Sequence, residues 1–365
     1  MKIAAVIPKL ISFDMDGSLT NPRFTWRQKH IVLVFVVTES GVVGVGEAWA
    51  SGAAPGALMA TIEDDLAPLM VGQDALAPAR HWAALNEAAL VSARRGIFKT
   101  GQAAIDIALW DLMGKAANLP VFRLLGGFSD SATVYASAGL YGRDKGLAEL
   151  AEEMTGYISQ GFNAVKMKVG GAPHAEDVER VRAVREAVGP SVRLMVDGVY
   201  ALDTPSALRL SKAVEPYDVY WFEQPVHPDD LDGMAQVNLR GNIPVAGNEN
   251  ASEQSHFVAL MEKRAVHFVQ ADTLVIGGIS DGRNLAALAA SRHLPMTLHH
   301  ASSIVGMAAS LHLAAGVANI ESVEYHMVHQ WLFDRVPADL FPMHESKITL
   351  SERPGLGLDL SPDDF

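Results

Sequence analysis

Three short stretches decide the reading of this chain: Val192-Arg-Leu-Met-Val-Asp197, Val219-Tyr-Trp-Phe-Glu223 and Ile243-Pro-Val-Ala-Gly-Asn-Glu249. Each is a brief apolar run that ends in, or just before, a carboxylate. An apolar run of this length reads as a buried strand. The carboxylates stand 26 residues apart in both intervals. A strand, a helix and two short loops occupy about 25 residues, so the spacing describes consecutive βα units. Side by side in a parallel sheet, the three strand ends would bring Asp197, Glu223 and Glu249 to one spot. Unpaired carboxylates raise one another's pKa. A hard divalent cation removes that cost, and an all-oxygen set suits Mg²⁺.

The rhythm extends in both directions. Lys166 and Lys168 lie in Ala164-Val-Lys-Met-Lys-Val169, and Asp197 comes 29 residues after Lys168. Downstream, Asp272 follows Glu249 by 23 residues, His299 follows Asp272 by 27, and Glu324 follows His299 by 25. The expected fold is α/β: a modified (β/α) TIM-type barrel with its chemistry at the C-terminal strand ends. Lys166 and Lys168 share one strand face, because side chains alternate with a period of two. Two adjacent ammonium groups lower each other's pKa, as a lysine base requires. Asp272 and His299 fall on neighbouring predicted strands, where a carboxylate would fix the imidazole tautomer. His300 is a neighbouring candidate, although alternation points it the other way.

Composition sets outer bounds. The 365 residues exceed one ordinary core and suit a barrel with a smaller domain. With 49% hydrophobic and 19% charged residues the balance is that of a globular protein. A net charge of −13 argues against nucleic-acid or anionic-membrane surfaces. An anionic substrate would need a local cation. The absence of cysteine excludes thiolate catalysis and thiolate metal sites. No run of about 18 apolar residues is present, so no membrane span is expected. The start, Met1 to Pro8, is too short for a signal-peptide core, which points to the cytoplasm. Residues 3–48 read as antiparallel strands, with the β-branched run Ile31 to Val37 and turn glycines in Gly41-Val-Val-Gly-Val-Gly-Glu47. Residues 57–118 read as helices. Residues 1–128 therefore form an α+β capping domain, completed by about 335–365, and residues 129–334 form the barrel.

These residues carry a resemblance. Lys166-Met-Lys168, Asp197, Glu223-Gln-Pro225, Glu249, Gln270-Ala-Asp272 with Gly277-Gly278, His299 and Glu324 resemble the enolase superfamily, in its mandelate racemase subgroup. The segment Ile107-Ala-Leu-Trp-Asp-Leu-Met-Gly-Lys115, with Leu124-Leu-Gly-Gly127, resembles that family's cap-to-barrel junction. The resemblance implies that Asp197, Glu223 and Glu249 ligate Mg²⁺, which binds a substrate carboxylate. It implies Lys168 as base on one face of the α-carbon and His299, paired with Asp272, as acid/base on the other. Lys166 would neutralise the carboxylate and Glu324 would hydrogen-bond it. Cap residues 14–30 would lid the barrel mouth, with Arg23, Trp26 and Arg27 reading the substrate and Phe98 and Lys99 as further candidates. The expected reaction is dehydration of an acid sugar, with racemisation or epimerisation of an α-hydroxy acid as the alternative. The expected partners are a small carboxylate substrate and further copies of the chain. A non-catalytic metal-binding homologue is disfavoured by the intact polar set.

Two departures and one local motif remain. Val199 stands where the family often has Asn after the first ligand. Thr273-Leu-Val-Ile-Gly277 has no lysine, which argues against cycloisomerase and dipeptide-epimerase activity. Leu10-Ile-Ser-Phe-Asp-Met-Asp-Gly-Ser-Leu-Thr20 resembles the first motif of haloacid-dehalogenase phosphatases, with Asp14 as nucleophile and Asp16 as acid/base. The antiparallel-type strands that follow do not suit that fold.

Overall fold

The computed structural model describes residues 1–50, 54–91, 93–337 and 339–365. The chain opens with strands β1 (Ile3–Asp14), β2 (Leu19–Thr20), β3 (Gln28–Thr38) and β4 (Val43–Ala48). β1, β3 and β4 form an antiparallel sheet in that order. The helix Ile97–Ala117 lies across it and ends at Asn118, in the left-handed conformation, just before Pro120. β3 serves two cores, because its side chains alternate. Val32, Val34 and Val36 pack with the cap helices through Leu58, Ile62, Leu66 and Ile105. Ile31, Leu33 and Phe35 face the larger barrel core.

Gly44 and Gly46 differ from the turn role their sequence suggests. Both lie in mid-strand, and a Cβ on either would collide with the carbonyl oxygens of Ala108 and Ala104. They let the helix backbone settle directly on β4. Gly41, with φ of 81°, is the turn glycine.

The barrel consists of β5 (Ser131–Ser137), then, past the short β6 (Tyr141–Gly142), β7 (Ala164–Lys168), β8 (Arg193–Asp197), β9 (Val219–Glu223), β10 (Val245–Gly247), β11 (Phe268–Asp272), β12 (Met296–His299) and β13 (Ile320–His326). Every neighbouring pair is parallel, and β13 pairs with β5 to close the ring. Helices follow each strand from β5 to β12, for example His174–Val188 after β7 and Thr204–Val214 after β8. After β13 the chain runs into β14 (Met343–His344) and β15 (Lys347–Thr349) instead, and β15 adds antiparallel to β5. This is the modified barrel that the spacing predicts. Among the described residues, no helix is long and apolar enough to cross a membrane.

The phosphatase-like motif is overturned by this topology. Asp14 ends β1 in an antiparallel hairpin and accepts a hydrogen bond from Gln28 at 3.1 Å. Asp16 accepts one from the Ser18 amide at 2.8 Å in an exposed turn. That nucleophile needs the end of a parallel strand, and neither residue has one.

A neutral histidine ties the C-terminal tail to the cap-barrel joint. His312 is buried, accepts the Phe122 amide at Nδ1 (3.2 Å), and hydrogen-bonds the Leu356 backbone. Burial holds its pKa down at about 4. The unfolded chain therefore takes up this proton first, near pH 6.5. His312 should weaken the fold progressively as pH falls from about 6.5 to about 4. The full effect is on the order of 3 kcal/mol. In urea unfolding across this range, His312→Gln should reduce proton uptake on unfolding by about one. An unchanged acid slope would refute the assignment.

Candidate active site

Parallel register brings the predicted strand ends together at one mouth. Lys168 pairs with Asp197, and Asp197 with Glu223. Asp272 pairs with His299 on the far side. Glu249 lies two residues beyond β10, and Glu324 lies inside β13. Below them the barrel is plugged by Tyr135, Met195, Trp221 and Phe268. The Trp221 ring lies 5.3 Å from Tyr135 and 5.2 Å from Phe268. This apolar floor shields the charges above it from water.

The charges pair closely. Lys166 Nζ lies 2.5 Å from Glu223, 3.0 Å from Glu324 and 3.6 Å from Asp197. Lys168 Nζ lies 2.5 Å from Asp197. His299 Nδ1 meets Asp272 at 2.6 Å. Its Nε2 faces Glu249 and Glu324 at 3.7 and 3.8 Å. Burial alone would lower the His299 pKa, but Glu249, Glu324 and the Asp272 hydrogen bond outweigh it and raise the pKa to about 10. Burial raises Glu223 to about 8; Lys166 opposes this, and Asp197, Glu324 and Glu249 add to it. Lys168 corrects the sequence expectation. Burial and Lys166 lower its pKa, yet Asp197 and the other carboxylates outweigh them, and the net shift is upward.

The donor set fits a divalent cation. Five carboxylates (Asp197, Glu223, Glu249, Asp272 and Glu324) share the mouth with Lys166, Lys168 and His299. With all five ionised and His299 protonated, five negative charges face three positive ones. Among the described residues no three His, Asp or Glu stand at metal-ligand spacing; Lys166 bridges the carboxylates in this arrangement. All-oxygen ligands and excess negative charge match a hard ion such as Mg²⁺.

Above the mouth lies a cavity of about 300 Å³ that includes Lys168, Asp197, Glu249 and His299 in its lining. The cap contributes Trp26, Arg27, Lys29 and Trp49 to its walls. Arg23 does not line it. Its guanidinium donates to the Tyr200 carbonyl at 2.6 Å and covers the Tyr200 ring, so it braces the loop. Phe98 is buried outside the cavity, and Lys99 pairs with Asp281 at 2.7 Å in a separate hollow. His300 points away, with Nε2 3.0 Å from the Ser303 carbonyl.

Sequence reasoning missed Lys29, Trp49, His326 and His329. Two had a signal. His326 follows Glu324 by two residues, on the same strand face. Lys29 begins the series Lys29, Ile31, Leu33 that β3 turns toward the barrel. Glu47 was also missed as a contact. This buried β4 carboxylate accepts hydrogen bonds from the Ser302 hydroxyl, the Ser303 hydroxyl (2.5 Å) and the Gly306 amide (2.9 Å). It therefore caps the helix that follows His299.

Comparison with known proteins agrees with this architecture. Residues 147–364 match the family model described as enolase C-terminal domain-like. Residues 19–126 match the mandelate racemase / muconate lactonizing enzyme N-terminal domain. The chain is 34% identical to arabinonate dehydratase of Saccharolobus solfataricus, over 90% of this chain and 87% of that one. It is 30% identical to D-galactarolactone cycloisomerase of Agrobacterium fabrum, over 100% of this chain and 97% of that one. A solved racemase from Streptomyces coelicolor A3(2) with bound magnesium superposes with a TM-score of 0.90 at 28% identity, covering 98% and 97% of the two chains. The chain belongs to the enolase superfamily, in its mandelate racemase subgroup. The relatives thus include a cycloisomerase as well as a dehydratase, while the stretch Thr273 to Gly277 of this chain has no lysine.

Removing the Glu47 side chain should uncouple cap from barrel. Glu47→Ala would leave two hydroxyls and helix N–H groups unpaired, at a cost of about 3 kcal/mol or more. Binding of added Mg²⁺, measured by calorimetry, should change little, because the Glu47 hydrogen bonds go to Ser302, Ser303 and Gly306 and not to Asp197, Glu223 or Glu249. Unaltered thermal stability would show that the clasp is dispensable.

Proposed function

We propose that this member of the enolase superfamily is a Mg²⁺-dependent dehydratase of an acid sugar, converting an aldonate or aldarate to a 2-keto-3-deoxy acid. The observation that carries the reading is one cavity walled by Lys168, by His299 held on Asp272, and by the carboxylates Asp197 and Glu249. Similarity to arabinonate dehydratase supports it.

Asp197, Glu223 and Glu249 would hold the Mg²⁺, which supplies concentrated positive charge at the substrate carboxylate. Superfamily sites generally pair a Lys or His base with Mg²⁺ to stabilise an ene-diolate, so that division of labour is the family's general chemistry. Relieved of its ion pair once a cation occupies Asp197, Lys168 Nζ would take the α-proton. Lys166 meets the charge that develops on the carboxylate, from a water-poor position against the Tyr135 ring, 5.4 Å away. Burial raises the Glu324 pKa, but Lys166 and His299 outweigh it and bring it to about 2, so Glu324 would hydrogen-bond the same carboxylate only after taking up a proton. His299, oriented through Nδ1 by Asp272, presents Nε2 to the cavity and delivers a proton to the departing β-hydroxyl. Trp26 and Arg27 close the cap side of the cavity. The enol released then tautomerises to the 2-keto acid. Cytoplasmic location and homo-oligomeric assembly belong to the same proposal; light scattering measures the latter.

Racemisation or epimerisation of an α-hydroxy acid is the second reading. It is favoured by one observation: Lys168 and His299 come from β7 and β12, separated by β5 and β13 on one side of the ring and by four strands on the other. Bases that approach from different sides serve either reaction.

Two experiments decide the matter. Stripping the protein with a chelator should abolish activity, and Mg²⁺ should restore it; Glu223→Gln should bind Mg²⁺ far more weakly. Full activity in metal-free buffer rules out the metal assignment. In the second, acid sugars are screened for a product that reacts with a carbonyl reagent. His299→Asn should lose dehydration by about 10²–10⁴-fold and retain α-proton exchange in D₂O. Asp272→Asn should act in the same direction and more mildly. Inversion of the α-centre without keto acid would establish the racemase instead.

A further inference from the structure

The charged end of the cavity holds Lys168, Asp197, Glu249 and His299, and another stretch of its wall is different in kind. That wall includes Lys29, Trp26, Trp49, His326 and His329. His326 and His329 are 4% and 2% exposed, with ring centroids 4.3 Å apart. Two imidazoles in such contact do not both carry a charge, and burial pushes each well below the usual histidine range. His326 Nδ1 accepts the backbone amides of Val328 and His329, at 3.2 and 3.3 Å. Its proton is therefore fixed on Nε2. His329 Nδ1 is buried without a partner among the described residues.

His326, with Nδ1 taken by the two amides, offers its Nε2–H as a donor, and His329 keeps an unpaired ring nitrogen; together they complement a hydroxyl group. The Trp26 ring lies edge-on to His329 at 5.2 Å and gives an apolar face for the CH groups of a sugar chain. Lys29 is the buried cation of this wall, and it is already engaged. Its Nζ donates to the Ala301 carbonyl at 2.8 Å and lies 4.5 Å from the centre of the Trp49 ring. Arg27 also lines the cavity but is exposed, so water screens its charge.

We propose that His326 and His329 form a hydroxyl-reading subsite, and that the substrate is therefore a sugar acid with a single carboxylate whose far end carries neutral hydroxyls. This rests on the reaction proposed above and narrows its substrate from acid sugars in general to aldonates. A second carboxylate placed between the two rings would leave water for neutral partners, and to pair with it Lys29 would have to give up the Ala301 carbonyl and the Trp49 ring. A cavity of about 300 Å³ is at the small end for ligand sites and suits a short single chain.

The test uses the Mg²⁺-loaded protein and pairs of aldonates and aldarates matched in configuration. Proton exchange at the α-carbon is followed by NMR in D₂O, and binding to the His299→Asn variant by calorimetry. The aldonate should exceed its matched diacid by about 100-fold in both kcat/KM and affinity. His329→Phe should weaken aldonate binding by about tenfold, and His326→Gln, which keeps a donor, by less. His329→Lys should narrow or reverse the preference for one carboxylate. Equal or better use of diacids overturns the subsite while leaving the reaction standing. Absence of α-exchange with every acid of either class overturns the reaction, and the subsite with it.

Discussion

Repulsion among buried carboxylates is the constraint around which this molecule is arranged. Asp197, Glu223, Glu249, Asp272 and Glu324 converge where water is scarce. Burying one such group unpaired would cost several kcal/mol. The barrel tolerates five because register places a cation beside most of them: Lys166 among Glu223, Glu324 and Asp197, Lys168 on Asp197, His299 on Asp272. The aromatic floor under them is as necessary as the ion pairs. It keeps the local dielectric low, so that charge placed at the mouth is felt strongly. The same arrangement leaves a deficit of positive charge, which the proposed Mg²⁺ would fill.

The cap is built to the same end by different means. β3 divides its two faces between cap and barrel cores, and Gly44 and Gly46 bring the long helix down onto β4. These close packings fix the height and tilt at which Lys29 and Trp49 enter the cavity. On the proposed function, specificity would then depend on a sheet whose own core is remote from the chemistry.

The barrel was legible in the sequence because a single regularity encodes it. A polar residue that ends an apolar run, repeated at βα spacing, states both the strand and the side it faces. Lys168, Asp197, Glu223, Asp272 and His299 obey this and meet; Lys166 and Glu324 sit two residues inside their strand ends, on the same faces. Contacts between distant segments carry no such mark. Glu47 meets Ser302 and Ser303 across more than 250 residues, and nothing local distinguishes it from an ordinary strand-end carboxylate. Arg23 has the right charge in the right loop, yet Tyr200 offers its guanidinium a carbonyl and a ring at once. The direction of the Lys168 shift depended on one distance, 2.5 Å to Asp197, that no spacing rule supplies. The Asp14 and Asp16 motif failed for a related reason: chemistry at a strand end depends on the partner strand's direction, which a short match does not contain.

The Glu47 clasp sets a limit on how the enzyme can breathe. It joins the end of β4 to the turn that leaves β12, three residues past His299, while Trp49 on the same cap segment meets the His299 ring edge-on at 5.6 Å. β4 and the acid/base strand end are thereby one stiff body. Substrate entry by swinging the whole cap away would drag His299 off Asp272 on every cycle. On the proposed function, traffic would instead pass through the loop between β1 and β3, whose hold on the barrel includes Arg23 on Tyr200 and the short β2–β6 pairing. His299 and Asp272 would then stay paired through the full cycle, and the stiffness of that loop could be tuned without disturbing them.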